Sequence, residues 1–375
     1  MASTSKKTIG IFLHALHYGG IEKFVETHRE VYNPQVNDCH IIVNRAGVKK
    51  QEEYFESLGF KLHLIPMKSP KSITRQAKVA YKRLFRDINF DVVHCNLPTN
   101  VLPLQYAQKA GVPRKVLHSH SNYYLAIDKK PVLVQAVYRY LMERNADRAD
   151  VCLACSQEAA KVFGKNEQRT KVVNDSIDFN TFAFNAEDRV AIRLSLGIAK
   201  EATVFCHVGR MENDIKNHFF LLDVFKAYAT ENPSAKLILV GDGKKRTEFE
   251  AYAAHLGVSN ACFFVGTTNN VSKYLSAADM FLFPSKSEGL GISLVEAQAA
   301  GLPCVASNTV PYYAKFTDTV TFAPIDTGIE PWVCAIRSLL QRGRTELTDA
   351  VIKASGYSVD SSSCILNEAF GFVGE

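Results

Sequence analysis

The chain has 375 residues, enough for two domains with separate cores, and its 47% hydrophobic and 22% charged content is that of a globular protein. No apolar run reaches the ~18 residues of a membrane span, and Met1-Ala-Ser-Thr-Ser-Lys-Lys7 shows no signal-like apolar core, so a cytoplasmic protein is expected. The net charge of +6 is uneven: residues 1–170 carry 26 Lys+Arg and 15 Asp+Glu, whereas residues 171–375 carry 18 and 23. No nucleic-acid motif accompanies the basic half, so its expected partner is an anionic membrane surface or lipid-linked molecule rather than nucleic acid. The nine cysteines are scattered, with Cys39, Cys152, Cys206 and Cys304 inside apolar strands. Cys152 and Cys155 have the spacing of half a zinc site but no second pair, so buried free thiols are expected.

Residues 8–14 (Thr-Ile-Gly-Ile-Phe-Leu-His) read as a first strand, and His17-Tyr-Gly-Gly-Ile-Glu22 as a tight turn into a helix. Gly19 and Gly20 allow bare backbone to approach a ligand, but the three-glycine dinucleotide fingerprint is missing. Strands follow at 39–43 and 61–66. Next comes a basic helix with Lys71, Arg75, Lys78, Lys82 and Arg86 on one face and Ile73, Ala77, Tyr81, Leu84 and Ile88 on the other. That basic face is either solvated or a membrane-surface contact. Strands at 91–96 and 115–122 come next. The second holds His118 and His120 on one face, with His120 nearer the C-terminal end, where open parallel sheets bind ligands. A strand at 149–156 and a bridging segment at 170–179 end the first half.

The second half restarts with a strand at 202–209, followed by Arg210-Met-Glu-Asn-Asp-Ile-Lys216. Two cations on a loop after a strand suit a diphosphate, because charged hydrogen bonds are the strong ones. Strands at 235–243 and 261–266 follow, the latter opening a loop that holds Thr268. Residues 279–284 form a buried-strand pattern ending at Pro284. Then come Ser287-Glu-Gly-Leu-Gly-Ile-Ser-Leu-Val-Glu296 and a strand at 304–307. The rhythm is strand, glycine turn, helix, strand, one unit of a parallel α/β sheet. Backbone N–H groups at Gly289, Leu290, Gly291 and Ile292 would open a helix whose N-terminus suits an anion. Glu288 and Glu296, with seven residues between them, are acceptor-only groups that suit hydroxyls. A ligand with a central pyrophosphate and a sugar on either side, a nucleoside-diphosphate sugar, fits both features.

This Glu–seven–Glu stretch resembles the motif of retaining glycosyltransferases of the GT-B fold, in the large family 4 group that assembles capsule, exopolysaccharide and lipopolysaccharide. The resemblance implies an α/β architecture of two Rossmann-like domains facing each other across a cleft. It implies an acceptor domain over 1–172, a nucleotide-sugar domain over 185–345, and a helical segment, 346–375, that crosses back. It also implies that Glu288 meets the transferred sugar, Glu296 the ribose and Thr268 the base. Arg210, Lys216 and the glycine loops at 19–20 and 289–292 would hold the diphosphate, and His120 would face the donor. In the family Arg and Lys are commonly five apart; here they are six apart. Asn174-Asp-Ser-Ile-Asp178 also stands where the family usually has Asn-Gly-Ile/Val-Asp. Without an Asp-x-Asp pair, catalysis without metal or other cofactor is expected, from a UDP-sugar first, onto a glycan or lipid-linked acceptor. The alternatives are a nucleotide-sugar 2-epimerase of the same fold and a silent scaffold partner.

Overall fold

A computed structural model describes residues 6–17, 20–67, 73–120 and 131–372. The chain divides into two units, Met1–Ser176 with Val359–Glu375, and Ile177–Ser358. Both are Rossmann-like, a parallel sheet with helices on its two faces.

The first unit contains β1 (Thr8–Leu13), β2 (Asp38–Val43), β3 (Lys61–Leu64), β4 (Val92–Cys95), β5 (Arg114–Ser119), β6 (Val151–Ala154) and β7 (Thr170–Val172). They lie in the order β3-β2-β1-β4-β5-β6-β7. Side chains alternate across the strands, so two cores form. Phe12, Ile42, Val93 and Leu117 enter one, and Ile11, Ile41, Val92 and Val116 enter the other. Burial on both faces explains why these strands read as continuous apolar runs. The bridging segment contributes the short strand β7, which its polar composition had concealed.

The second unit contains β8 (Val204–Val208), β9 (Lys236–Val240), β10 (Cys262–Gly266), β11 (Met280–Phe283), β12 (Cys304–Ser307) and β13 (Val320–Ala323), in the order β10-β9-β8-β11-β12-β13. β11 is buried at all four residues. The edge strand β13 was not anticipated. The helix Asp349–Ser355 and Tyr357 stay with this unit. Leu347 and Ile352 pack on its core, and the Tyr357 hydroxyl donates to the Tyr313 carbonyl at 2.7 Å.

Only from Val359 does the chain belong to the first unit. The helix Val359–Phe370 lays Leu366, Ala369 and Phe370 on the second of its cores. Arg114 Nε donates to the Ala369 carbonyl at 2.6 Å and satisfies that helix end. The basic helix of the sequence is Arg75–Asp87, N-capped by Thr74, with Ala77, Tyr81, Leu84 and Phe85 buried and Lys78, Lys82 and Arg86 exposed. Ile73 precedes it and is 40% exposed; Lys71 lies outside the described residues. The thiols of Cys39, Cys152, Cys206 and Cys304 are free and buried. Burial pushes Cys39 up to about 12, far from a reactive thiolate.

Leu366 is fully buried, so Leu366→Ala is expected to destabilise the first unit by about 2–5 kcal/mol. Denaturant unfolding should show this as a shift of one transition, and an unshifted curve would contradict the packing described.

Candidate active site

In an open parallel sheet, ligands bind where the strand order reverses, beyond the C-terminal ends of the two strands concerned. In the second unit that point lies between β8 and β11, which pair in register Met280↔Phe205 and Phe281↔Cys206. The loops that leave them carry Arg210 to Asn217 and Pro284 to Gly291. Backbone hydrogen bonds hold the first loop: Gly209 N–H to the Val240 carbonyl (2.9 Å) and Met211 N–H to Asp242 (2.8 Å). Lys286 N–H donates to the Ile215 carbonyl at 2.7 Å and ties the two loops together. Gly209 has no room for a side chain. A Cβ there would stand 2.8 Å from His207 Nε2 and 3.0 Å from Lys216 Cγ, so the Lys216 stem lies across it.

The central contact joins the two loops. Lys216 Nζ donates to Glu288 Oε1 at 2.6 Å, with the side chains 20% and 12% exposed. The ammonium also stands 4.9 Å from the Phe283 ring centroid, within cation–π range. The extra residue between Arg210 and Lys216 is absorbed by a short 3-10 turn, Asp214–Lys216, capped by Asn213 and closed by left-handed Asn217 at φ 59°. Lys216 turns inward, while Arg210 is exposed at the end of β8.

Gly291 takes φ 85°, a conformation that favours glycine, and opens the helix Ile292–Ala299. Leu290 is buried and Ile292 half-buried; Gly289 is exposed, and its carbonyl accepts from the Tyr313 hydroxyl at 2.7 Å. Glu296 lies in the second turn of the helix, half-buried. Thr268 lies in the loop after β10, its Oγ1 accepting from Asn270 N–H at 3.0 Å. Thus Lys216, Glu288 and the 289–292 turn are brought together, and Thr268 belongs to a neighbouring loop of the same sheet edge.

Two histidines that sequence reasoning did not use lie beneath this site. His207 and His218 are fully buried, with ring centroids 4.9 Å apart. His207 Nδ1–H donates to the Leu282 carbonyl at 2.8 Å. Burial holds His207 well below its usual range and lowers His218 to about 4, with nearby Lys216 pushing both the same way.

In the first unit the order reverses between β1 and β4. Gly20 opens the helix Gly20–Thr27 there; Gly19 lies outside the described residues. Beside it a buried histidine cluster fills the C-terminal edge. Tyr32 hydroxyl meets His94 Nδ1 at 3.0 Å, and His94 Nε2 meets His118 Nδ1 at 3.2 Å. The His118 and His120 ring centroids are 3.8 Å apart. His120 Nε2 lies 2.7 Å from Asn96 Oδ1, and its Nδ1 lies 3.8 Å from Asp175 Oδ1. His28 meets Ser362 of the returning helix at 2.6 Å. Burial keeps His94 and His118 neutral and lowers His28 to about 4. Among the described residues no group of His, Cys, Asp and Glu has the geometry of a metal centre.

Family models match both halves: Glycosyltransferase Family 4 over residues 18–180 and Glycosyl transferases group 1 over residues 188–355. The chain is 30% identical to the "Putative glycosyltransferase EpsF" of Bacillus subtilis (strain 168), over 83% of this chain and 81% of that one. It belongs to glycosyltransferase family 4. This glycosyltransferase is also 28% identical to an Escherichia coli protein, "UDP-Gal:alpha-D-GlcNAc-diphosphoundecaprenol alpha-1,3-galactosyltransferase", over 61% of each chain. Its fold is that of GT-B enzymes such as Anabaena HepE, solved in complex with UDP, with a TM-score of 0.73, 18% identity, and coverage of 97% and 95% of the two chains. Its activity is glycosyl transfer in polysaccharide or glycoconjugate synthesis.

His28 and His218 are neutral when folded, with pKa values of about 4, and revert to about 6.5 when unfolded. The unfolded state therefore binds more protons below pH 6.5, and stability falls as pH drops from 6.5 towards 4. Each is expected to cost on the order of 2 kcal/mol at pH 5. Denaturant unfolding at pH 7.5 and pH 5 checks this; equal midpoints would show the rings already charged in the fold.

Proposed function

We propose that this glycosyltransferase moves a sugar, with retention of anomeric configuration, from a UDP-sugar to a glycan or lipid-linked acceptor in cell-surface polysaccharide synthesis. The observation that carries the reading is the Lys216–Glu288 pair at the reversal point of the second sheet, beside the Gly291 turn. Arg210 and Lys216 hold the diphosphate, and the N–H groups of Gly289, Leu290, Gly291 and Ile292 take the charge that grows on it as the sugar leaves. Glu288 binds the sugar's hydroxyls, Glu296 the ribose hydroxyls, and Thr268 packs against the base. The chain lacks an Asp-x-Asp pair, so transfer needs no divalent metal and survives chelation. HepE, which binds UDP, and the Escherichia coli relative, with its UDP-Gal donor and diphosphoundecaprenol acceptor, support this choice of substrates.

Because the cation and carboxylate already touch, the diphosphate must share Lys216 with Glu288. Removing Glu288 releases Lys216 wholly to the diphosphate. Glu288→Ala is therefore expected to abolish transfer while UDP affinity, measured by calorimetry, stays within a few-fold. Lys216→Ala should weaken UDP by roughly 10- to 100-fold, the value of one charged hydrogen bond. An active Glu288→Ala enzyme would refute the assignment. Scoring a panel of nucleotide sugars for transfer, hydrolysis or epimerised product separates a transferase from a 2-epimerase, and a silent scaffold would bind none.

The exposed Lys78, Lys82 and Arg86 of the helix Arg75–Asp87 support contact of this enzyme with the cytoplasmic face of an anionic membrane, at about 1 kcal/mol per basic residue near the surface. Among the described residues no helix is long and apolar enough to cross a membrane. Reversing these three charges should abolish sedimentation with phosphatidylserine liposomes; undiminished sedimentation would remove the helix from that role.

A further inference from the structure

The histidine cluster of the first unit holds an acidic residue that no motif assigns a role. Asp175 follows β7 on a turn fixed from both sides. Val173 N–H donates to the Ala154 carbonyl at 2.8 Å, and Ser176 Oγ lies 3.0 Å from the Asn174 carbonyl and 2.7 Å from Ser362 Oγ. The turn sets the carboxylate at the same sheet edge as Asn96, after β4, and His118 and His120, at the end of β5.

Four side chains meet there with a covered polar atom that has no hydrogen-bond partner: Asn96 Nδ2, His118 Nε2, His120 Nδ1 and Asp175 Oδ1. Folded proteins seldom leave such groups unpaired, since each costs about 1–3 kcal/mol. Four on neighbouring elements of one sheet edge mark a region built for polar contact.

Proton counting orders the group. His120 Nε2 faces the Asn96 side-chain amide at 2.7 Å. If the amide oxygen accepts, Nε2 carries hydrogen; if the amide is turned over, its nitrogen donates and Nε2 is bare. A neutral ring carries one hydrogen, so only the turned-over amide leaves it on Nδ1, towards Asp175, and that arrangement avoids two acceptors facing each other. His120 thus stands behind the carboxylate. Its side chain is only 7% exposed, whereas that of Asp175 is 28% exposed although Oδ1 is covered, so Oδ2 is the atom that can reach a ligand.

We propose that Asp175 is a sugar-hydroxyl anchor of the first unit, held in place by His120, and that it determines which acceptor sugar the enzyme takes. A carboxylate accepts hydrogen bonds from hydroxyls and repels phosphate, so the anchor suits a sugar ring rather than a diphosphate; in the proposed reaction Glu288 takes the donor's sugar, which leaves the acceptor's sugar to Asp175. His120 is then a positioning residue. The inference rests on the proposed transfer reaction, and it places the acceptor's recognition on a residue that differs in charge from its neighbours in the cluster.

The test measures both KM values of the enzyme with UDP-galactose and N-acetylglucosamine-diphosphoundecaprenol, the substrates in the name of the Escherichia coli relative. Asp175→Asn is expected to raise the acceptor KM about tenfold or more, with the donor KM and UDP affinity within twofold. His120→Asn should shift the same parameter less, and the double variant no further than Asp175→Asn alone. Asp175→Glu should recover part of the loss, which a merely structural role would not. An unchanged acceptor KM, or a rise in the donor KM, would overturn the anchor. If the unaltered protein binds no UDP and transfers no sugar from any donor or to any acceptor of a wider panel, the transfer reading itself fails. Acceptor crystals soaked with N-acetylglucosamine give a second readout: a ring hydroxyl on Asp175 supports the anchor, and a sugar bound elsewhere in the first unit refutes it.

Discussion

A cation and a carboxylate 2.6 Å apart join two loops that are 72 residues apart in sequence, and the geometry of the second unit converges on that contact. It exists because the strand order reverses between β8 and β11, which sends both loops out of the same sheet edge. Gly209 must lack a side chain for the Lys216 stem to cross it, and Asn217 must turn left-handed for the chain to enter its helix. Partly buried charges of opposite sign are costly to separate, because each left alone loses its partner without regaining full hydration. The pair therefore holds the Lys216 ammonium in place at the sheet edge.

The first unit solves a different problem. Its sheet edge is lined with imidazoles rather than with salt bridges, and burial keeps His28, His94 and His118 uncharged. Neutral rings can donate with one nitrogen and accept with the other, so a chain from Tyr32 through His94 to His118 forms without any net charge. Asp175 sets the polarity of this region at its open end. Its neighbour Ser176 meets Ser362 of the returning helix, so the last described segment of the chain braces the turn that carries Asp175.

The two units thus use the same architecture with opposite electrostatics. Around the reversal point of the second sheet, cations and helix N–H groups favour an anion. At the edge of the first, a carboxylate and uncharged rings favour hydroxyls. That division suits the proposed transfer, in which a diphosphate leaves and a sugar hydroxyl attacks.

Much of this was legible in the chain itself. Apolar runs buried on both faces announced parallel strands, and the glycine turn before Ile292 announced a helix start, because both depend on local sequence. The pairing of Glu288 with its cation was beyond reach, since residues 216 and 288 meet only through the crossover of the sheet. The edge strands β7 and β13 were missed because short, half-exposed strands carry weak patterns. The histidines read as a matched pair on one face, yet their hydrogen bonds run to Asn96 and His94 on another strand and its loop, and His120 faces Asp175 on a turn. Local chemistry determined the elements, the family and the kinds of group at each loop; packing over long sequence distances decided which of those groups touch, because hydrogen bonds between side chains form only where tertiary structure sets their atoms about 3 Å apart.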